Sequence, residues 1–407
     1  MTTSRHAPDL LVLSHLRWDF VFQRPQHLLT RCAQYRRVYF MEEPHFADGI
    51  LPSLELSKRG ERLFVAVPRL PTGLSAAEID AHLQRLVDAL IAEQFERSYI
   101  LWYYTPMALR FTRHLKALSI VYDCMDELSH FKCAPPDLCT LEDELFRVAD
   151  VVFTGGHSLY EYKRNKHNNV HAFPSSVDVA HFRKARAEQD EPHDQARIAR
   201  PRIGFTGVID ERFDIGLIGG LASRRPDWQL VMIGPVVKID PAVLPRAHNI
   251  HYLGGKQYDE LPPYLSGWDV AILPFARNEA TRFISPTKTP EYLAAGRPVV
   301  STSITDVVRS YGEAGLVHIA DDAETCVSAI ETIMAPGADR ASWLTRVDDF
   351  LSRMSWDETF RAMWQLVEDS IARRHVPMRA KLRSRGVSGA QTSPALGIGS
   401  VPAAPPG

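Results

Sequence analysis

The chain has 407 residues, 45% of them hydrophobic and 24% charged, and a formal net charge of −2. That length exceeds one ordinary domain and leaves enough apolar side chain for two cores, while the near-neutral balance gives no electrostatic footprint for a nucleic-acid partner. The five cysteines are an odd number without a C-x-x-C pair. They indicate neither a disulfide framework nor a zinc site, and a reducing, cytoplasmic compartment is expected.

From the N-terminus, "MTTSRHAPDLLVLSH" lacks the long apolar centre and cleavage site of a signal peptide. No run approaches the roughly 18 uninterrupted apolar residues that would cross a membrane. Short β-branched or aromatic runs then alternate with amphipathic patterns. Strands are predicted at 9–14, 37–41, 62–67, 99–104, 119–124, 150–155 and 170–175. Between them "RPQHLLTRCAQY", "SAAEIDAHLQRLVDALIAEQF" and "PPDLCTLEDELFRVA" repeat apolar residues at three- and four-residue intervals. Apolar strands followed by amphipathic helices imply a parallel sheet covered on both faces.

The charged stretch "RKARAEQDEPHDQARIAR" (183–200) breaks the pattern and reads as an exposed inter-domain segment. Strands resume at 202–207, 228–234, 249–254, 269–275, 297–302 and 315–320. The expected organisation is α/β: a Rossmann-like first domain over 1–180, a linker over 181–200, and a second doubly wound Rossmann-like domain over 201–354. A C-terminal helix over 355–375 and a disordered tail over 376–407 follow. The tail opens on the basic run "RRHVPMRAKLRSR", which suits solvent or an anionic bilayer surface.

Two such domains facing each other form a cleft at the carboxyl ends of their strands, where ligands bind. The G-x-G-x-x-G and P-loop fingerprints are absent, as is the paired-carboxylate D-x-D that a hard divalent metal would want. No metal and no cofactor are therefore expected, and a ligand phosphate would be met by side-chain cations and helix N-termini. "SPTKTPEYLAAGRPVV" (285–300) supplies both. Either Ser285 caps a helix with Pro286 first, or Thr289 does with Pro290 first. Lys288 and Glu291, three residues apart, project from one helical face and suit a nucleotide, the cation for phosphate and the carboxylate for ribose hydroxyls. An exposed Lys–Glu pair supporting the helix is the plainer alternative.

This stretch closely resembles the nucleotide-sugar motif of GT-B glycosyltransferases, especially family 4. "PSSVDVAHF" (174–182) is similar to the segment closing their first domain, and "SWDETFRAMWQLVEDSI" (355–371) to the helix that crosses back onto it. "LSHLRWDFVFQRPQHLL" (13–29) and "VYDCMDELSHF" (121–131) resemble a bacterial branch acting on cell-surface polysaccharides or lipid-linked glycans. The resemblance implies transfer of a sugar from a nucleoside diphosphate sugar, as substrate, to a glycan or lipid-linked acceptor. It also implies a cytoplasmic location, with peripheral contact at the inner face of the membrane. It places the donor near Gly207, Arg212, Gly254, Lys256, Ser285, Thr287, Lys288 and Glu291; Arg282, in the overhanging loop, is either a further phosphate contact or a solvated cation. An acidic residue that usually precedes the ribose-binding glutamate by eight positions is Phe283 here, with Asn278 and Glu279 upstream as substitutes. The family's lysine after the diphosphate arginine is missing beyond Arg212.

Three first-domain loops are expected to meet the acceptor. Asp123 or Asp126, at the end of a strand, is the expected general base, with His130 a further candidate. His15, Arg17, Trp18 and Asp19 are the acceptor candidates, together with Glu43 and its neighbour Glu42, which are either acceptor contacts or simply solvated. Trp18 could equally be a buried anchor, and Arg212 could equally pair with Asp210 or Asp214. Gly155, Gly156 and Ser158 form either a second anion site or a plain cap. Two other functions fit the same architecture: a nucleotide-sugar epimerase, and a non-catalytic nucleotide-sugar-binding subunit of a polysaccharide assembly complex.

Overall fold

The computed structural model describes residues 7–375, apart from 97 and 133. The expected tail over 376–407, with most of its basic opening, lies outside the described residues.

The first sheet joins nine strands. They are β1 (Asp9–Leu13), β2 (Val38–Met41), β3 (His45–Ala47), β4 (Ser53–Gly60), β5 (Leu63–Pro71), β6 (Tyr99–Tyr103), β7 (Ser119–Cys124), β8 (Val151–Thr154) and β9 (Val170–Ala172). The second joins six in the order β12-β11-β10-β13-β14-β15. These are β10 (Arg202–Thr206), β11 (Gln229–Ile233), β12 (Ile250–Tyr252), β13 (Val270–Leu273), β14 (Val299–Ser301) and β15 (Val317–Ile319). Pairing in the second sheet is parallel throughout. In the first, β4 runs antiparallel to β5.

Every strand read from an apolar run is present. Along β1 the side chains alternate between two cores: Leu10 and Val12 join one face, Leu11 and Leu13 the other. Both faces are buried, which explains why such strands read as continuous apolar runs rather than alternating ones. Strands β3 and β4 were not anticipated. Their residues are mostly exposed and polar, so no apolar run announces them.

The segment 181–200 is not the exposed linker expected. Ala185 and Ile198 enter the second domain's core. Gln195 is fully buried and accepts from the Trp268 indole N–H at 2.9 Å. A few apolar residues among many charges suffice to pin it. The helix Trp356–His375 behaves as expected: Trp356, Phe360, Met363, Trp364 and Val367 pack into the first domain's core.

Candidate active site

The carboxyl edges of the two sheets face each other across one groove. It holds two cavities of about 150 and 220 Å³, which share Val21, Phe22, Thr206, Gly207, Val208 and Lys288. First-domain residues on the smaller cavity include Arg24, Asp126 and Ser175; opposite them stand Arg212, Phe275 and the run Ile284–Lys288. The larger cavity continues between Phe20 and the loop Gly255–Tyr258.

Lys288 opens the helix Lys288–Ala294, with Thr287 before it and Pro290 in the first turn. Proline is tolerated there because the first N–H groups of a helix have no internal partner. Neither capping alternative is realised, since Thr287 rather than Ser285 or Thr289 stands at the cap, and its side chain makes no cap hydrogen bond. Lys288 Nζ lies 2.7 Å from Glu291 Oε2, with side chains 14% and 7% exposed. Burial pushes the Glu291 carboxyl up, against the pull of Lys288. The pair is thus enclosed rather than solvated, and Lys288 lines both cavities.

Behind the groove, the buried Tyr292 hydroxyl accepts from the Thr206 N–H at 2.6 Å and donates to the Thr206 carbonyl at 3.1 Å. This fixes the end of β10 where it enters the cavities. Gly234 ends β11 at φ 151°, and a Cβ there would collide with the Gly207 carbonyl oxygen. The two strand ends come this close because position 234 has no side chain.

Arg212 lines the groove and is also gripped by Asp210, its Nη2 at 2.7 Å and its Nε at 3.0 Å from the carboxylate. The cation is held in place rather than free to swing. Lys238 was missed by sequence reasoning. It follows β11, outside any motif, and among the described residues it is the non-glycine with positive φ, at 60°. Lys238 and Arg212 each stand 5.3 Å from the centre of the Phe131 ring. The Lys238 charge also bears on His15, Glu43 and Asp126 of the first domain.

The two candidate aspartates separate sharply. Asp123 is fully buried and paired with Arg24, whose Nη2 lies 2.9 Å away; it does not reach the cavity. Asp126 lines the cavity, and burial pushes its carboxyl above the ordinary range, opposed chiefly by Arg212. Burial lowers the His15 imidazole to about 4, and its Nδ1 has no partner. His130 instead meets the second domain's loop, with Nδ1 3.2 Å from the Glu279 carbonyl.

Other expected residues are spent on structure. Trp18 is a buried anchor set edge-on to Phe40, and its backbone N–H donates to the Glu42 carboxylate at 2.8 Å. Arg17 ties down Glu42 at 3.1 Å and the carbonyl of Glu43, and Asp19 pairs with Arg59 on the surface. Arg282 is exposed, beside Glu279. Gly254 does not line the groove, whereas Lys256 does, paired with Asp194 at 2.6 Å. Ser285, Thr287 and Gly207 all line it.

Two expectations are corrected. Phe283 lines neither cavity and turns to the first domain, where it stacks on Tyr162 at 4.6 Å and 17°. Asn278, offered as a substitute, caps its own turn and reaches the Glu211 carbonyl; Glu279 stays at the rim. The site at Gly155, Gly156 and Ser158 is filled by the protein itself. Asp306 of the second domain accepts the N–H groups of His157 and Ser158, each at 2.9 Å. A Cβ on Gly156 would collide with that carboxylate.

Among the described residues, no three His, Cys, Asp or Glu side chains are grouped to hold a metal ion, and no helix is long and apolar enough to cross a membrane.

Two parallel α/β domains that share a groove at their carboxyl edges define the GT-B architecture. Solved structures agree on that fold. A trehalose-phosphate synthase from Burkholderia vietnamiensis superposes with a TM-score of 0.66 at 14% identity, covering 92% of this chain and 100% of that one. A sucrose-phosphate synthase from Thermosynechococcus elongatus gives 0.65 at 14%, covering 90% and 100%. The catalytic domain of starch synthase IV from Arabidopsis thaliana, bound to ADP and acarbose, gives 0.62 at 10%, covering 90% and 99%. Residues 197–335 match the family described as Glycosyl transferases group 1. A putative teichuronic acid biosynthesis glycosyltransferase of Bacillus subtilis is 25% identical over 222 residues, which is 50% of this chain and 55% of the relative. The chain therefore spans about half the length of that relative. It has the fold of the GT-B glycosyltransferases, and the match to the group 1 family lies within its second domain.

Proposed function

We propose that this protein transfers a sugar from a nucleoside diphosphate sugar to a hydroxyl of a glycan or lipid-linked acceptor, in cell-surface polysaccharide synthesis at the cytoplasmic face of the membrane. The observation that carries this reading is the enclosed Lys288–Glu291 pair at the floor of a groove shared by both domains. In this reading Glu291 takes the ribose hydroxyls, and the base lies along the larger cavity beside Gly255–Tyr258. Lys288, Arg212 and Lys238 face the diphosphate. These side-chain cations, with no metal, stabilise the charge that builds as the diphosphate departs, and preorganised electrostatics of this kind is usually the largest catalytic term.

Asp126 is the better-placed base. It lines the cavity opposite Arg212, whereas Asp123 is committed to Arg24. A carboxyl raised by burial is a stronger proton acceptor once ionised. The fastening of the domains by Phe283 and Asp306 supports a closed groove that keeps water from the donor.

A thermal-shift screen of nucleoside diphosphates and their sugars tests the reading. A ligand present at a hundred times its Kd stabilises the native state by about 2.7 kcal/mol, and that shift is expected to vanish in Glu291→Ala and Lys288→Ala. A flat response to every nucleotide overturns the reading. Turnover of UDP-N-acetylglucosamine without an acceptor would replace it with epimerase chemistry. Binding with no release of nucleoside diphosphate to any acceptor would leave a non-catalytic subunit.

A further inference from the structure

A third cavity, of about 300 Å³, lies entirely in the first domain and shares no lining residue with the other two. It opens at the carboxyl ends of β1 and β2, beneath the helix Ala76–Gln94. Its volume equals that of roughly ten waters and falls at the lower end for ligand pockets. Leu13, Met41, Leu83 and Ala108 form buried parts of its wall, with Met107 and Phe111 beside them.

Most polar groups of this wall already have a partner. The Ser14 hydroxyl accepts from the Leu16 N–H, and that of Thr105 from the Met107 N–H. Glu42 is bound by Arg17 and by the Trp18 N–H. Arg110 is held by Asp137 at 2.5 Å. Glu43 and Asp80 remain at the rim. A sugar placed inside would regain only part of the water hydrogen bonds it loses, which costs free energy; an apolar chain loses nothing. The adjoining β3–β4 segment bears a group of exposed large apolar side chains: Phe46, which lines the cavity at 47% exposure, Leu51 at 84% and Leu56 at 38%.

The cavity and the groove lie along the same carboxyl edge of the first sheet: β1 and β2 end at the cavity with Leu13 and Met41, and β7 ends two residues before Asp126 of the groove. We propose that this cavity receives an apolar chain carried by the acceptor, so that the acceptor's hydroxylated end lies towards Asp126. The proposal rests on the transferase reading for the identity of its occupant, and on the cavity alone for the chemistry of the chain.

Binding of methyl, butyl, hexyl and octyl β-glucosides, all below their micelle concentrations, tests it in the full chain by thermal shift and calorimetry. Affinity is expected to rise by about fourfold per methylene buried until the cavity is full. Ala108→Phe and Met107→Trp fill the same cavity from a buried and a half-buried position. Whichever of them keeps the parent melting temperature and nucleotide shift is expected to lose the chain-length dependence. Affinity independent of chain length in the parent overturns the proposal, as does a chain-length dependence that survives in a folded, cavity-filled variant. The nucleoside diphosphate shift on the same samples keeps the two readings apart. If nucleotides bind and alkyl chains do not, the cavity proposal alone falls. If alkyl chains bind and no nucleotide does, the chain site stands and the donor site falls.

Discussion

Replacing Lys238 with glycine should move stability and activity in opposite directions. Lys238 holds φ at 60°, a conformation that costs a residue with a Cβ roughly 1–2 kcal/mol. Glycine adopts it freely but returns about 0.4–1 kcal/mol through the greater entropy of its unfolded chain. The net gain is about 1 kcal/mol, or about 2–4 °C in melting temperature for a domain of this size. The lost cation works the other way. Two unit charges roughly 8 Å apart at an effective dielectric near 20 interact by about 2 kcal/mol. Because Lys238 is exposed, water screens part of this, leaving a loss of roughly tenfold in kcat/KM. Scanning fluorimetry and a nucleoside diphosphate release assay read the two effects. The activity loss should shrink in 1 M salt, where the Debye length falls to about 3 Å, and Lys238→Ala should lose activity without gaining stability. A Lys238→Gly protein that melts lower, or turns over at the parent rate, refutes the reasoning.

Asp126→Asn should lower kcat by about 10²–10⁴-fold, and the parent's rate should fall on the acid side at a pH above the ordinary carboxylate range, because burial raises the Asp126 pKa. The sign for stability follows from the same shift. Above the raised pKa the native state carries a disfavoured charge, so the amide variant should melt higher there; the gap should close as pH falls to the ordinary value of 3.8, and equal melting at all pH values would refute it. Tyr292→Phe should cost about 1–3 kcal/mol by orphaning the buried Thr206 N–H, with a raised KM for the donor; unchanged denaturant midpoints would count against that. Asp306→Ala combined with Phe283→Ala should open the groove, seen as a larger radius of gyration in X-ray scattering and faster hydrolysis of the donor without acceptor. Identical scattering profiles would deny these residues a fastening role.

The framework was legible because an apolar strand and an amphipathic helix each announce themselves within one short stretch of chain. β1 and β10 needed no partner to be recognised, and the pair at 288 and 291 lay one helical turn apart. What stayed hidden depends on contacts between stretches far apart in the sequence. Asp123 and Asp126 look alike on the strand they end, and only Arg24, brought from a distant helix, shows which one is spent on structure. Phe283 reads as a missing acid until Tyr162 is placed against it. Gly156 looks like a cradle for a ligand anion until Asp306 fills it.

These contacts have a common direction, since His130, Tyr162, Gly156 and His157 belong to the first domain and Glu279, Phe283 and Asp306 to the second. Apart from Asp123 and Arg24, which pair within the first domain, these hidden contacts are ones that set the distance between the domains. That distance decides whether Asp126 and Arg212 share a cavity. In this fold the floor of the groove is written locally, whereas its closure is written in pairs that only the folded chain brings together.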